Sequence, residues 1–116
     1  MSLPIFVENS KVPVYLSLIS PISIGAITLG PFVFSRGEIS ERTRNHESIH
    51  WAQYKETLIL GFLFLYALYW VIGLVKYRGG AAAYFSIPFE QEAYTHDSDM
   101  GYLTTRKLFS WWSYKV

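Results

Sequence analysis

No cysteine occurs anywhere in the chain, which excludes disulfides, thiolate metal ligands and a cysteine nucleophile together. Charge is scarce as well. Asp, Glu, Lys and Arg make up 16% of the 116 residues, and the net charge is +1. The basic residues are scattered rather than run together, so the electrostatic footprint of a nucleic-acid binder is missing. Met1-Ser2-Leu3-Pro4 lacks the basic start and small-residue cleavage site of a secretory signal, and none is expected. Histidine is rarer still, with three in the chain. That scarcity gives weight to where two of them fall.

What the chain has in excess is apolar surface: 51% hydrophobic residues, 18% aromatic. The length suits one domain over residues 1–116, with a small core. Two uncharged stretches account for the excess. In the first, Val12 to Ser35, five breakers (Pro13, Pro21, Gly25, Gly30 and Pro31) argue against a spanning helix. The pattern predicts short strands and turns, with Ser23 to Leu29 and Phe32 to Phe34 as strands. Gly30-Pro31 suggests a turn or bulge on an edge strand. The second stretch, Thr57 to Val75, is just long enough to cross a bilayer.

Between them lies His46-Glu47-Ser48-Ile49-His50, an HExxH pentapeptide. On a helix, residues four apart share a face, so both imidazoles can converge on one tetrahedral ion. Glu47 then lies beside that ion, placed to take a proton from a metal-activated water. Ser40 is a plausible N-cap and Glu41 a favourable first-turn charge, which predicts a helix from about Glu41 to about Leu60. Its metal face carries Thr43, His46, Glu47, His50 and Tyr54, while Ile49, Ala52 and Leu60 are expected to bury other faces. Catalytic zinc takes three protein ligands and keeps a fourth position open. The third is sought downstream among Glu90, Glu92, His96, Asp97 and Asp99, in a segment that Pro88 and its acidic first turn mark as a second helix.

Glu90-Gln91-Glu92-Ala93-Tyr94 resembles the E-x-x-A-D or E-x-x-A-N signature of the gluzincins, the zinc peptidases that include CAAX prenyl proteases, HtpX heat-shock proteases and IrrE-type proteases. The resemblance covers the HExxH motif and about eight residues around Glu90. It implies Glu90 as third ligand, Ala93 as the residue packing closely on the HExxH helix, and a single catalytic zinc. Tyr94 stands where those families have Asp or Asn. Asp97, seven residues after Glu90, is on the same helical face and could support a ligand histidine instead. Glu92 is the alternative third ligand. Tyr84, Tyr94, His96 and Tyr102 are candidates to stabilise a transition state.

The third ligand also constrains the greasy segment. One straight helix from Glu41 to Tyr77 would carry Lys76 about 39 Å past His50, and the residues back to Glu90 would return only about 21 Å as helix. Crossing that gap with extended chain through lipid would leave amides unsatisfied. A break at Gly61-Phe62, making a helical hairpin whose second helix is Phe62 to Tyr77, removes the conflict. Residues 57–75 then need a partner: a membrane, which is favoured, another copy of the chain, or the core itself.

The expected architecture is therefore α+β. Short N-terminal strands or a β-hairpin pack on a zincin-like helical core, made of an HExxH helix, an apolar helix and a Glu-bearing helix. The expected function is zinc-dependent hydrolysis of peptide or protein substrates. The alternative is a non-catalytic, metal-binding membrane or assembly component. A deformylase-like hydrolase is disfavoured because that family uses a cysteine ligand.

Overall fold

A computed structural model describes residues 4–18 and 24–116. Pro21 and Ser23, part of the expected turn and strand region, lie outside the described residues. The fold is mixed α and β, mainly helical, with a small three-stranded sheet.

The sheet has the order β1-β3-β2. Strands β2 (Ala26–Leu29) and β3 (Phe32–Ser35) form an antiparallel hairpin, and β1 (Ile5–Val7) adds in parallel to β3. The turn falls at Gly30-Pro31, with Gly30 at φ +60°, a conformation that costs glycine nothing. Val33, on the central strand, is fully buried.

The expectation of strands and turns from Val12 onward fails at α1 (Val12–Ser17). Pro13, read as a breaker, sits in the first helical turn, where its missing N–H costs no hydrogen bond and its fixed φ suits the helix. Ser17 Oγ donates to Pro13 O at 2.7 Å at the other end.

Helix α2 (Glu41–Glu56) starts at Ser40, whose side chain accepts from the Thr43 N–H. It ends earlier than expected, and the break lies at Leu58-Ile59 rather than Gly61-Phe62. Leu58 takes φ +60°, and the Ile59 N–H reaches back to Tyr54 O at 2.8 Å. That is a Schellman ending built without glycine. Ile59 follows at φ 66°, ψ −65°, with Leu60 N–H donating to Leu58 O at 2.7 Å. This is the rare positive-φ γ-turn, strained for a β-branched residue. Leu60, expected to bury a face of the motif helix, instead opens α3 (Leu60–Tyr77) and is 75% exposed.

Only Phe62 and Gly73 of the 18 residues in α3 are buried, so the helix does not fill the core. A short α4 (Gly80–Ser86) folds back along it. The approach is close at Gly73, where an added Cβ would lie 2.9 Å from Ala83 Cα. Helix α5 (Pro88–His96) then returns to α2, followed by α6 (Tyr102–Thr105) and a 3-10 turn at Ser110–Ser113. The core is an aromatic stack through these elements. Tyr54 lies 3.8 Å from Phe62 between ring centroids, Phe62 4.5 Å from Phe89, and Phe89 4.7 Å from Trp111.

One buried ionic group ties the C-terminal segment to this core. Arg106 donates to both carboxylate oxygens of Glu56 and both of Glu92, at 2.6–3.1 Å. The side chains of all three residues are almost wholly inaccessible. Removing one partner from such a group leaves an uncompensated buried charge. Arg106→Met is therefore expected to cost about 3–5 kcal/mol, measured as a lower urea midpoint at unchanged slope.

Candidate metal centre

Helix α2 is enclosed on every side over residues 45 to 50, all of which are buried. His46 and His50, one turn apart, stand edge to face with ring centroids 4.9 Å apart. Glu90 comes from the first turn of α5, which Pro88 opens. Ala93, one turn further on, is fully buried, and α5 packs on α2 along this stretch. A single oxygen, Glu90 Oε1, lies 3.3 Å from His46 Nε2 and 3.0 Å from His50 Nε2. The three side chains offer donor atoms within 4.8 Å of one another, and together they could hold a metal ion.

The surroundings decide which ring nitrogen carries the proton. Gln53 Nε2 donates to Phe89 O at 3.0 Å and to Glu92 Oε1 at 2.9 Å. Two acceptors on that side fix the amide, so its oxygen faces His50 Nδ1 at 2.7 Å. His50 must then be protonated at Nδ1. His46 Nδ1 lies 3.0 Å from Asp97 Oδ2, while Asp97 Oδ1 accepts from Arg42 Nε at 2.8 Å. His46 is thereby held in the same tautomer. Both Nε2 lone pairs consequently point at a carboxylate oxygen that is itself an acceptor, in a buried place. Tyr66, on α3, occupies the other carboxylate oxygen, donating to Glu90 Oε2 at 2.6 Å.

Such a set of converging lone pairs calls for a cation. The titration behaviour follows. Burial disfavours charge on His50, but the Glu90 carboxylate outweighs it and pushes the ring up to about 9. Burial likewise opposes ionisation of Glu90, and the two histidines overcome it, holding the carboxyl well below its ordinary range. Two imidazole nitrogens and one carboxylate oxygen also match the donor chemistry of a three-ligand zinc site.

Glu47 is buried beside this group, and its Oε2 accepts from Thr28 Oγ1 at 2.6 Å. Thr28 is on β2, and its carbonyl accepts from Tyr54 OH at 2.8 Å. The edge strand is thus fastened to the motif helix at two points. Between β2, α2 and α3 runs a cleft of about 980 Å³, lined by the whole expected metal face of α2 and by Glu90, Asp97, Tyr84 and Tyr94. The Tyr94 ring meets His46 at 4.5 Å between centroids, and its hydroxyl lies 2.8 Å from that of Tyr84. Burial pushes both phenols upward, so both stay protonated at neutral pH.

Other candidates fall elsewhere. Glu92, the alternative third ligand, is turned away and fully buried against Gln53, Tyr102 and Arg106. His96 stacks on Tyr102 at 3.9 Å, and its Nε2 meets Tyr114 OH at 3.1 Å. Neither His96 nor Tyr102 lines the cleft. The reason is helical phase: residues two and six after Glu90 face away from it, while Ala93, Tyr94 and Asp97 share its side. Three contributors were not anticipated from sequence. Gln53 was accessible in principle, being three residues after His50 on the same helix. Thr28 and Tyr66 depend on tertiary contacts that no local pattern carries. No known protein family, curated protein or solved structure matches the chain.

Glu90→Ala is expected to lose the ion on gel filtration. Gln53→Leu, which removes the acceptor from His50 Nδ1, should keep the ion but weaken its affinity roughly 10- to 100-fold. Titration against a competing chelator measures both. Equal affinity in Gln53→Leu and wild type would show that His50 is oriented without it.

Proposed function

We propose that the protein is a zinc-dependent hydrolase of peptide bonds. The observation that carries this reading is the placement of Glu47. It is a carboxylate next to a three-donor metal group, oriented by Thr28 and set in a cleft large enough for a polypeptide segment. His46, His50 and Glu90 would hold the zinc. When bound, zinc supplies Lewis-acid polarisation of a carbonyl and acidifies water at neutral pH.

The remaining work falls to the chain's own groups. Glu47 accepts the proton of the attacking water and returns it to the leaving amine. Its hydrogen bond from Thr28 fixes the plane in which that transfer occurs. Tyr84 and Tyr94 share one hydrogen bond between two hydroxyls, so one of their protons remains for a developing oxyanion in the cleft. β2 ends the sheet on the side away from β3. Its cleft-lining residues, Ala26 to Leu29, could pair with an extended substrate backbone, which favours a peptide over a small molecule.

The alternative, a non-catalytic metal-binding assembly or membrane component, needs a closed site. Glu92 and His96, the residues that would close it, are engaged elsewhere, which leaves three protein donors and favours catalysis.

Glu47→Gln is expected to retain stoichiometric zinc and lose hydrolysis of unstructured protein or peptide mixtures by about 10²-fold or more. His50→Ala should lose both. Stoichiometric zinc in purified His50→Ala, or undiminished hydrolysis by Glu47→Gln, would sink the assignment.

A further inference from the structure

Helix α3 is long and apolar enough to cross a membrane by length and composition, yet its position in the fold points to a different arrangement. Its inner face is committed to the body. Phe62 packs in the aromatic core, Tyr66 donates to Glu90, and Trp70 Nε1 donates to Gly80 O at 3.2 Å. At 1.5 Å per residue the helix is about 27 Å long, and the metal centre lies alongside its first half. Standing the helix upright in a bilayer would drag His46, His50 and Glu90 to hydrocarbon depth, where ionisable groups are expensive. Lying flat carries no such penalty.

The outer face fits that orientation. Leu60, Phe64, Leu68, Val71 and Val75 recur at helical spacing and are all exposed, Phe64 at 69% and Val75 at 78%. Five large apolar side chains in one stripe exceed what a soluble surface ordinarily leaves uncovered. Charge selects the occupant. From Thr57 to Phe89 the chain carries Lys76 and Arg78 and no carboxylate. Both cations are exposed at the C-terminal end of the stripe, with Lys76 Nζ also reaching Val116 O at 2.9 Å. Anionic lipid headgroups complement the charge at that end of the stripe, whereas a second copy of the same face would bring no carboxylate to either cation.

We infer that α3 docks in the plane of an anionic membrane, its outer stripe among the acyl chains and Lys76 and Arg78 among the headgroups. The cleft then opens at the same surface, because Leu63 and Ala67 are exposed on α3 and also line it. An apolar polypeptide segment lying at the bilayer surface is the substrate class this opening admits. That last step rests on the hydrolase reading; the docking itself does not.

Flotation of the purified full chain in a sucrose gradient, without detergent, tests the docking. The vesicles are phosphatidylcholine alone or phosphatidylcholine mixed with phosphatidylglycerol. Wild type should float with both and more completely with the anionic mixture. Phe64→Glu/Val71→Glu should lower partition about tenfold or more. Lys76→Glu/Arg78→Glu should abolish the anionic preference, by about fivefold per charge. Zinc content, expected to be unchanged in both variants, reports that the fold is intact. Wild type remaining in the aqueous fraction with both vesicles would overturn the inference, as would equal flotation of Phe64→Glu/Val71→Glu. A detergent-free dimer dissolved by the same substitutions would assign the face to a second copy instead. A chain that floats but binds no zinc upholds the docking and overturns the hydrolase reading, and one that stays in solution yet cleaves peptides does the reverse.

Discussion

With both imidazoles neutral, three acceptor atoms converge out of water, and the need for positive charge among them is the constraint on which the rest of this structure depends. His46 Nε2, His50 Nε2 and Glu90 Oε1 meet within hydrogen-bond distance. Each could escape the conflict by turning, and each is prevented. Gln53 and Asp97 hold the far nitrogens of the two rings. Tyr66 holds the far oxygen of the carboxylate. The restraints come from the motif helix, from the end of α5 and from α3, so the conflict is built by the whole fold. Positive charge is the remaining way to relieve it, which is why a buried imidazole titrates upward here, against the ordinary effect of burial.

The scaffold that delivers these atoms is a detour. α2 and α5 must lie side by side, yet more than thirty residues separate them in the chain, and almost all are apolar. The fold spends them on α3 and α4, an outward hairpin closed by the near contact of Gly73 with Ala83. The tight Leu58-Ile59 reversal sends the chain out immediately beyond the motif helix. Aromatic rings from the base of the hairpin then stack inward through Phe62 and Phe89. The cleft is what remains between this hairpin and the edge strand.

The helical phase of the site was legible in the sequence because it is local. The spacing within HExxH and that of Glu90, Ala93, Tyr94 and Asp97 follow from a period of 3.6 residues, and the Ser40 cap from the unpaired N–H groups of a helix start. The need for a break after the motif helix was legible too, as a distance argument, but its location was not. Glycine is the usual residue for a left-handed helix ending, and the nearest glycine is Gly61. The structure uses Leu58 and Ile59, both exposed, and holds the reversal with the Ile59 N–H bond to Tyr54 O, at the cost of backbone strain. Pro13 misled in the opposite sense, since a residue that breaks a helix interior is tolerated in its first turn. Thr28 and Tyr66 left no local signal, because each acts only through a contact with a distant element.

The ligands' positions along the chain also bear on how the fold is held together. His50 and Glu90 close a loop that contains all of α3 and α4. An ion shared between them binds the folded chain and not the unfolded one, so its binding free energy adds to the stability of the closed loop. Metal occupancy and the anchoring of the apolar hairpin are then one equilibrium. Loading the ion tightens the hairpin's attachment, and anything that pulls the hairpin from the body loosens the ion.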